Sequence, residues 1–182
     1  MRDGFKDKSI NLVVSSCLLG NSVRYDGLHQ FHELINKSLS EEFNIIPVCP
    51  EVMAGLTVPR PPVQLVKQES KIQAIGVEDN LLNVTDKLLT ASNEFIDNMS
   101  EVCGFILKAR SPSCGVDTTP ILNENLIEIK TSNGLFAGQV IKNYPDMPIT
   151  DESTLTNQNE IDSFLNQVRK YYLTQHNTIT NG

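Results

Sequence analysis

Four cysteines are the side chains of this 182-residue chain that most readily suggest chemistry. They are Cys17, Cys49, Cys103 and Cys114, and no two of them form a C-x-x-C pair. The local spacing of a zinc finger is therefore excluded, although folding could still bring distant thiols together. Soft sulfur ligands favour zinc, cuprous copper or iron–sulfur clusters, so a metal centre is the first chemistry to consider.

Three of these cysteines follow apolar runs that are typical of short buried strands. The runs lie at residues 12–14, 45–48 and 105–107. Cys17 follows the first run, Cys49 ends the second, and Cys114 follows the third through the sequence "SPSC". Ligands of open parallel sheets bind beyond the carboxyl ends of the strands, so we expect these three thiols to converge. Cys103 precedes its strand, and we predict that it packs in the core as a small hydrophobe.

The state of three converging thiols is not decided by the residues alone. Two thiolates about 4 Å apart repel by about 4 kcal/mol at an effective dielectric constant of 20, so three anions need a cation. Zinc would take a fourth ligand, for which His29 or His32 is available, although capping or solvated roles are favoured for both histidines. A [4Fe-4S] cluster on three cysteines would leave one iron open, which suits catalysis. Buried or incidental thiols are an equal alternative.

Two further candidates lie beside these cysteines. Glu51, two residues after Cys49, could be an acid or base in the crevice or a solvated loop charge. Ser111 and Ser113 flank a proline in "RSPSC", and their hydroxyls could donate to a substrate or satisfy turn backbone groups.

The basic residues near these motifs each have a structural and a functional interpretation. Arg60 and Lys108 could hold a substrate or a negative cluster, or could be ordinary surface charges. Arg24 and Asp26 in "VRYDG" favour a turn with a structural ion pair.

The elements that must position these residues alternate between strands and helices. This order predicts an α/β single domain over residues 1–182, built on a mainly parallel, doubly wound, Rossmann-like sheet with helices on both faces. Helical spacing of apolar residues occurs at 31–39, at 81–99 after a possible N-cap at Asp79, and in a C-terminal helix at about 157–174.

Two regions interrupt that alternation. Residues 52–66 contain "VPRPPV", which predicts an ordered loop that places Arg60. Residues 126–138 alternate and reach Asn133-Gly134, which suggests a hairpin or flap turning there. The last residues, "NTITNG", are expected to form a loose tail.

Composition limits the partners that the chain could bind. A net charge of -7 and a pI of about 4.9 argue against a nucleic-acid polymer and favour a small molecule. No apolar run is long enough to cross a membrane, and residues 1–10 have neither signal-peptide nor transit-peptide features. We therefore expect a cytoplasmic protein with reduced thiols.

Four motifs carry a resemblance to a known family. In order along the chain they are "VSSCLLGNSVRYDG", "VCPEVMAGLTVPRPPVQL", "LKARSPSCG" and "MPITDE". Over residues 11–152 the chain resembles a bacterial family long catalogued as a domain of unknown function, some of whose members are thiouracil desulfidases. The resemblance implies that Cys17, Cys49 and Cys114 bind a [4Fe-4S] cluster, and that Glu51 and Ser111 are catalytic.

The implied reaction is the non-redox removal of sulfur from a thiolated nucleobase such as thiouracil, giving the oxo base and sulfide. Two alternatives stay open: a metal- or cluster-containing binding or sensor module for small thio-compounds without turnover, and a thiol enzyme with Cys17 or Cys114 as nucleophile. Residues 116–138 depart from the family pattern, in which a Tyr-Asp-Gly segment follows S-P-S-C-G.

Overall fold

The computed structural model describes residues 10–177, which form eight strands and five α-helices. The strands are β1 (Ile10–Ser15), β2 (Phe43–Val48), β3 (Val63–Gln68), β4 (Lys71–Gly76), β5 (Val102–Leu107), β6 (Thr119–Leu122), β7 (Glu128–Ser132) and β8 (Ile149–Asp151). The helices are α1 (Glu33–Ser38), α2 (Pro50–Met53), α3 (Thr85–Asn98), α4 (Leu135–Asn143) and α5 (Gln158–Asn177). Two 3-10 turns, Ser16–Leu19 and Glu152–Thr154, follow β1 and β8.

The first sheet is fully parallel and has the strand order β2-β1-β5-β8. Successive residues of its central strands point to opposite faces, so Leu12 packs with α1 and α5 whereas Val13 packs with α3 and α4. Every residue of β5 is buried, as expected of a central parallel strand covered by helices on both faces. The predicted α/β fold with a parallel sheet is confirmed.

A second, mixed sheet was not expected from the sequence. Its order is β4-β3-β6-β7, with antiparallel outer pairs and a parallel central pair. The expectation of a loop throughout residues 52–66 is wrong at both ends, because Val52 and Met53 belong to α2 and Val63 begins β3. Leu65 and Val66 are buried there, and Leu65 packs in a cluster with Leu88 of α3.

The hairpin expected near residues 126–138 exists, but its turn lies elsewhere. Strands β6 and β7 pair through a connection at residues 123–127, where the Asn123 side chain accepts hydrogen bonds from two backbone N–H groups. Gly134 instead precedes α4 as its N-cap residue. The predicted turn at Asn133-Gly134 is therefore wrong, because that pair leads from a strand into a helix.

Two helix predictions have different outcomes. Helix α3 begins at Thr85 rather than after Asp79, whose carboxylate accepts a hydrogen bond from the Leu81 N–H in a turn before the helix. Helix α5 follows its predicted apolar spacing, and Ile161, Leu165 and Val168 are buried against the first sheet.

The remaining sequence expectations concern Cys103, membrane-spanning segments, the two ends of the chain and the number of domains. Cys103 is buried in the core cluster with α5, as predicted. None of the helices described is long and apolar enough to cross a membrane. The features expected of residues 1–9 and of the tail after residue 177 lie outside the described residues. A single domain over residues 1–182 stays a prediction.

Candidate functional site

A cavity of about 450 Å³ lies at the carboxyl ends of the central parallel strands. Its wall includes Ser15 at the end of β1, Val48 at the end of β2, and the segment that leaves β5. The predicted site residues on the wall are Cys17, Cys49, Cys114, Glu51 and Ser111. The fold thus brings all five to one cavity, at the sheet edge where parallel strands place their ligands.

Each cysteine lies where a strand gives way to a turn or a short helix. Cys17 is in the 3-10 turn after β1, which ends at Gly20 with a φ of 94° that favours glycine. Cys49 is the N-cap residue of α2, and Cys114 follows the turn that begins at Ser111.

The three thiols are close enough to influence one another electrostatically. Burial raises the pKa of Cys17 to about 11, with a further increase from Cys49, while the charges of Lys108 and Arg24 act in the opposite direction. Burial likewise raises the pKa of Cys49 and of Cys114, and the other two cysteines raise the pKa of Cys114 further.

These raised pKa values have two chemical consequences. The thiols are protonated at neutral pH without a cation, which argues against Cys17 or Cys114 as an activated nucleophile. A metal centre bound by them would displace their protons, because thiolate is the ligand form.

The described side chains do not form a site for a single metal ion. Within residues 10–177 no three His, Cys, Asp or Glu side chains are grouped so that they could hold one. The histidines considered for zinc have local hydrogen-bonding roles instead: His29 Nδ1 accepts from the Phe31 N–H, and His32, the N-cap residue of α1, accepts from the Ile35 N–H. Neither histidine is among the residues that line the cavity.

Glu51 is held by two neighbours rather than solvated. Its Oε2 accepts from Arg60 Nε at 2.7 Å and lies 2.5 Å from Arg60 Nη2. Its Oε1 accepts from the Ser113 hydroxyl at 3.1 Å. The Glu51 and Arg60 side chains are only 12% and 6% exposed, so the pair is shielded from solvent.

Arg60 is anchored by more than its ion pair. Its Nη1 donates to the backbone carbonyl oxygens of Val23 at 2.9 Å and Thr57 at 3.2 Å. The loop with "VPRPPV" does place Arg60 at the cavity, as expected. The sequence did not predict the partner of Arg60. Both interpretations of this residue, as a surface charge and as a substrate contact, left out an ion pair with Glu51.

The two serines of "RSPSC" have different contacts. Ser111 Oγ accepts from the backbone N–H groups of Ser113 at 3.2 Å and Cys114 at 3.1 Å. These two hydrogen bonds shape the turn from Ser111 to Cys114. Ser113 donates its own hydroxyl to Glu51 and is 1% exposed. Sequence reasoning named both serines but did not foresee this division.

Two other basic residues border the cavity. Lys108 forms an ion pair with Glu152, whose carboxylate also accepts from the Ala109 N–H. Glu152 was not predicted as a site residue, although it ends the motif "MPITDE". Arg24 Nε lies 3.4 Å from Asp26 Oδ1. This is the structural ion pair that the sequence predicted in that turn.

Comparison with known proteins places these residues in a family. A family model described as 2-thiouracil desulfurase matches residues 12–152, most of the chain. The chain belongs to the 2-thiouracil desulfurase family. The match agrees with the span expected from the four motifs, and it contains all five residues of the predicted site.

The chain is similar to two known proteins, one found by sequence and one by structure. The chain is 33% identical over 118 residues to the uncharacterized protein YbbK of Bacillus subtilis (strain 168), covering 57% of this chain and 72% of that protein. The solved structure of TudS, a [4Fe-4S]-dependent thiouracil desulfidase, matches with a TM-score of 0.62 and 26% identity, over 80% of this chain and 92% of that one.

A glycine just before α4 packs directly on the turn from Ser111 to Cys114. A Cβ at Gly134 would lie 2.5 Å from the Ser113 carbonyl carbon and 2.8 Å from the Cys114 N. We expect Gly134→Ala to lower the free energy of unfolding by about 1–3 kcal/mol, since the turn or the start of α4 must move. Chemical denaturation measures this loss.

Gly138, inside α4, is the control for Gly134, which precedes that helix. A Cβ there would lie 3.7 Å from its nearest neighbour, in ordinary contact. Gly138→Ala should keep or raise stability by about 0.5–1 kcal/mol through helix propensity. Equal losses in the two variants would show that the packing of Gly134 on the turn is not the cause.

Proposed function

We propose that this chain is a [4Fe-4S]-dependent desulfidase that converts a thiolated pyrimidine base such as thiouracil into the oxo base and sulfide. Membership of the 2-thiouracil desulfurase family and the likeness to TudS support this proposal. The observation that carries it is the meeting of Cys17, Cys49 and Cys114 at one cavity, beside a carboxylate and a hydroxyl.

The donor set at the cavity fits an iron–sulfur cluster. Three thiols supply only sulfur, the ligand type that holds such clusters, and each comes from a different turn of the chain. Sulfurs on one tetrahedral zinc would lie within about 4 Å of one another, whereas a cluster takes each thiolate on a different iron. The all-sulfur donor set on three separate turns therefore supports a cluster, in agreement with the likeness to TudS.

Cys17, Cys49 and Cys114 would hold the cluster. When bound, it would supply an iron without a protein ligand, a Lewis acid that can polarise a thiocarbonyl group.

The reaction needs water and a proton acceptor but no electron donor. Water replaces sulfur at the thiocarbonyl carbon, so a C–O bond forms, the C–S bond breaks, and hydrogen sulfide leaves. The oxidation state of the carbon does not change. The chain's part is to bind the base, direct water to the carbon and move the protons of that water.

Glu51 and Ser111 are the residues we assign to those tasks. Glu51 accepts a proton from the attacking water, since it is the carboxylate on the cavity wall. Ser111 orients the water or the substrate: its oxygen accepts two N–H groups, while no acceptor for its hydroxyl hydrogen lies among residues 10–177. That hydrogen remains available to a bound molecule.

The cavity suits a small base rather than a polymer. Its volume of about 450 Å³ is within the range of about 300–1,000 Å³ that small-molecule sites occupy. The net charge of -7 disfavours the phosphate contacts on which nucleic-acid polymers depend.

Turnover of 2-thiouracil tests this proposal. Protein reconstituted with iron and sulfide under anaerobic conditions should release uracil and sulfide in equal amounts without added reductant. Chromatography measures the base, and a colorimetric assay measures sulfide. Chelator-treated protein is the control and should be inactive. Saturable binding of 2-thiouracil by the reconstituted protein without release of sulfide would instead support a sensor module.

A further inference from the structure

We propose that Ser113 is a positioning residue for Glu51, and that its hydroxyl fixes the carboxylate in the orientation that proton transfer needs. This inference rests on the proposed function and concerns a residue that the family resemblance did not assign. The contact that carries it joins Ser113 Oγ and Glu51 Oε1 at 3.1 Å.

The two oxygens of Glu51 have unequal partners. Oε2 lies against two nitrogens of Arg60, at 2.7 and 2.5 Å, in a charge-assisted contact. Oε1 accepts only from Ser113 among the described residues. Each carboxylate oxygen can accept about two hydrogen bonds. Oε2 already has two contacts, both with Arg60, whereas Oε1 has one and keeps a second acceptor position free. Oε1 is therefore the oxygen that receives the proton.

Ser113 is itself rigidly held, which makes it suitable for positioning. Its N–H donates to Ser111 Oγ at 3.2 Å. Its carbonyl oxygen accepts from the N–H groups of Phe136 at 3.0 Å and Ala137 at 3.1 Å, in the first turn of α4. With its backbone fixed on both sides and its side chain buried, the hydroxyl has little freedom to lose when it binds Glu51.

Arg60 alone would not fix the plane of the carboxylate. Both of its contacts reach the same oxygen, Oε2, so the other oxygen could rotate about that point. The Ser113 hydroxyl holds the second oxygen and removes this freedom. A small displacement of a catalytic group costs a large factor in rate, so loss of this hydroxyl should reduce turnover while the binding of substrate is unchanged.

A double-mutant cycle tests this role. Ser113→Ala should lower kcat for 2-thiouracil about tenfold, with KM within about twofold and with unchanged iron per chain. In a Glu51→Gln background, the same change should alter kcat by less than about twofold, because the group that it positions is already disabled. Ser92→Ala is the matched control, since Ser92 is a buried serine whose hydroxyl donates to the Leu88 carbonyl within α3. It should leave kcat unchanged.

The thermal unfolding of the same proteins gives a second reading that does not depend on activity. Ser113→Ala should lower Tm more in the Glu51 protein than in the Glu51→Gln protein, as coupled partners do. An equal loss of kcat in both backgrounds, an unchanged kcat, or loss of iron from Ser113→Ala would each overturn the assignment. Wild-type protein without turnover would instead refute the proposed function, and the Tm cycle would still decide the Ser113–Glu51 coupling.

Discussion

Replacing Cys17, Cys49 or Cys114 by serine is expected to remove bound iron and thiouracil turnover together. The three thiols come from separate turns and line one cavity, so each should supply a different ligand that the others cannot replace. A serine hydroxyl is a harder ligand than a thiolate and is a poor substitute at an iron–sulfur centre. Iron, acid-labile sulfide and uracil formation should therefore fall in parallel in all three variants, measured after anaerobic reconstitution.

Cys103→Ala is the matched control for these variants. Cys103 is 2% exposed and packs in the core beneath α5, so it should affect stability but not iron content or the rate per iron. An iron content that falls equally in Cys103→Ala would show that the loss comes from misfolding. A serine variant at Cys17, Cys49 or Cys114 with full iron and full turnover would remove that cysteine from the ligand set.

Glu51→Gln is expected to keep the cluster and lower kcat by about 10²–10⁴-fold, the range typical of losing a general acid or base. Glutamine keeps one carbonyl oxygen, which can face Arg60, but it has no second oxygen for the Ser113 hydroxyl, and its amide is not a base at neutral pH. Iron per chain, the absorption spectrum and kcat together distinguish loss of chemistry from loss of the cluster.

Glu51→Ala is a less informative change, for a reason that only the structure gives. Arg60 is 6% exposed, and alanine would remove both the charge and the hydrogen-bond acceptor that its guanidinium faces, whereas glutamine keeps an acceptor. Breaking a buried ion pair in this way typically costs about 3–5 kcal/mol. Retention of wild-type kcat by a folded, iron-containing Glu51→Gln protein would show that another group moves the proton.

The parallel sheet was predictable because its strands are nearly continuous apolar runs. Val13 and Phe105 belong to such runs, and their burial on a helix-covered sheet follows directly from composition. The second sheet was harder to predict because β3 and β6 pair across more than 50 residues of sequence. Its edge strand β7 has exposed Ile129 in an otherwise polar segment, so the alternation there carries little information on the partner strand.

The meeting of the predicted site residues at one cavity was predictable from the sequence, but their contacts were not. Strand ends place Cys17, Cys49 and Cys114 together by topology alone, and the cavity agrees with that expectation. The ion pair of Glu51 with Arg60 depends on how the proline-containing loop folds back, which spacing along the chain does not encode. The same holds for Ser113, whose backbone carbonyl accepts from two N–H groups of α4 and whose hydroxyl donates to Glu51.

Metal and sulfide analysis of wild-type protein purified without oxygen tests the central claim most directly, because the claim is that three cysteines together hold an iron–sulfur cluster. We predict about four iron atoms and four acid-labile sulfides per chain, with no stoichiometric zinc. Stoichiometric zinc in place of iron, or full thiouracil turnover by protein that holds neither iron nor sulfide, would contradict the account.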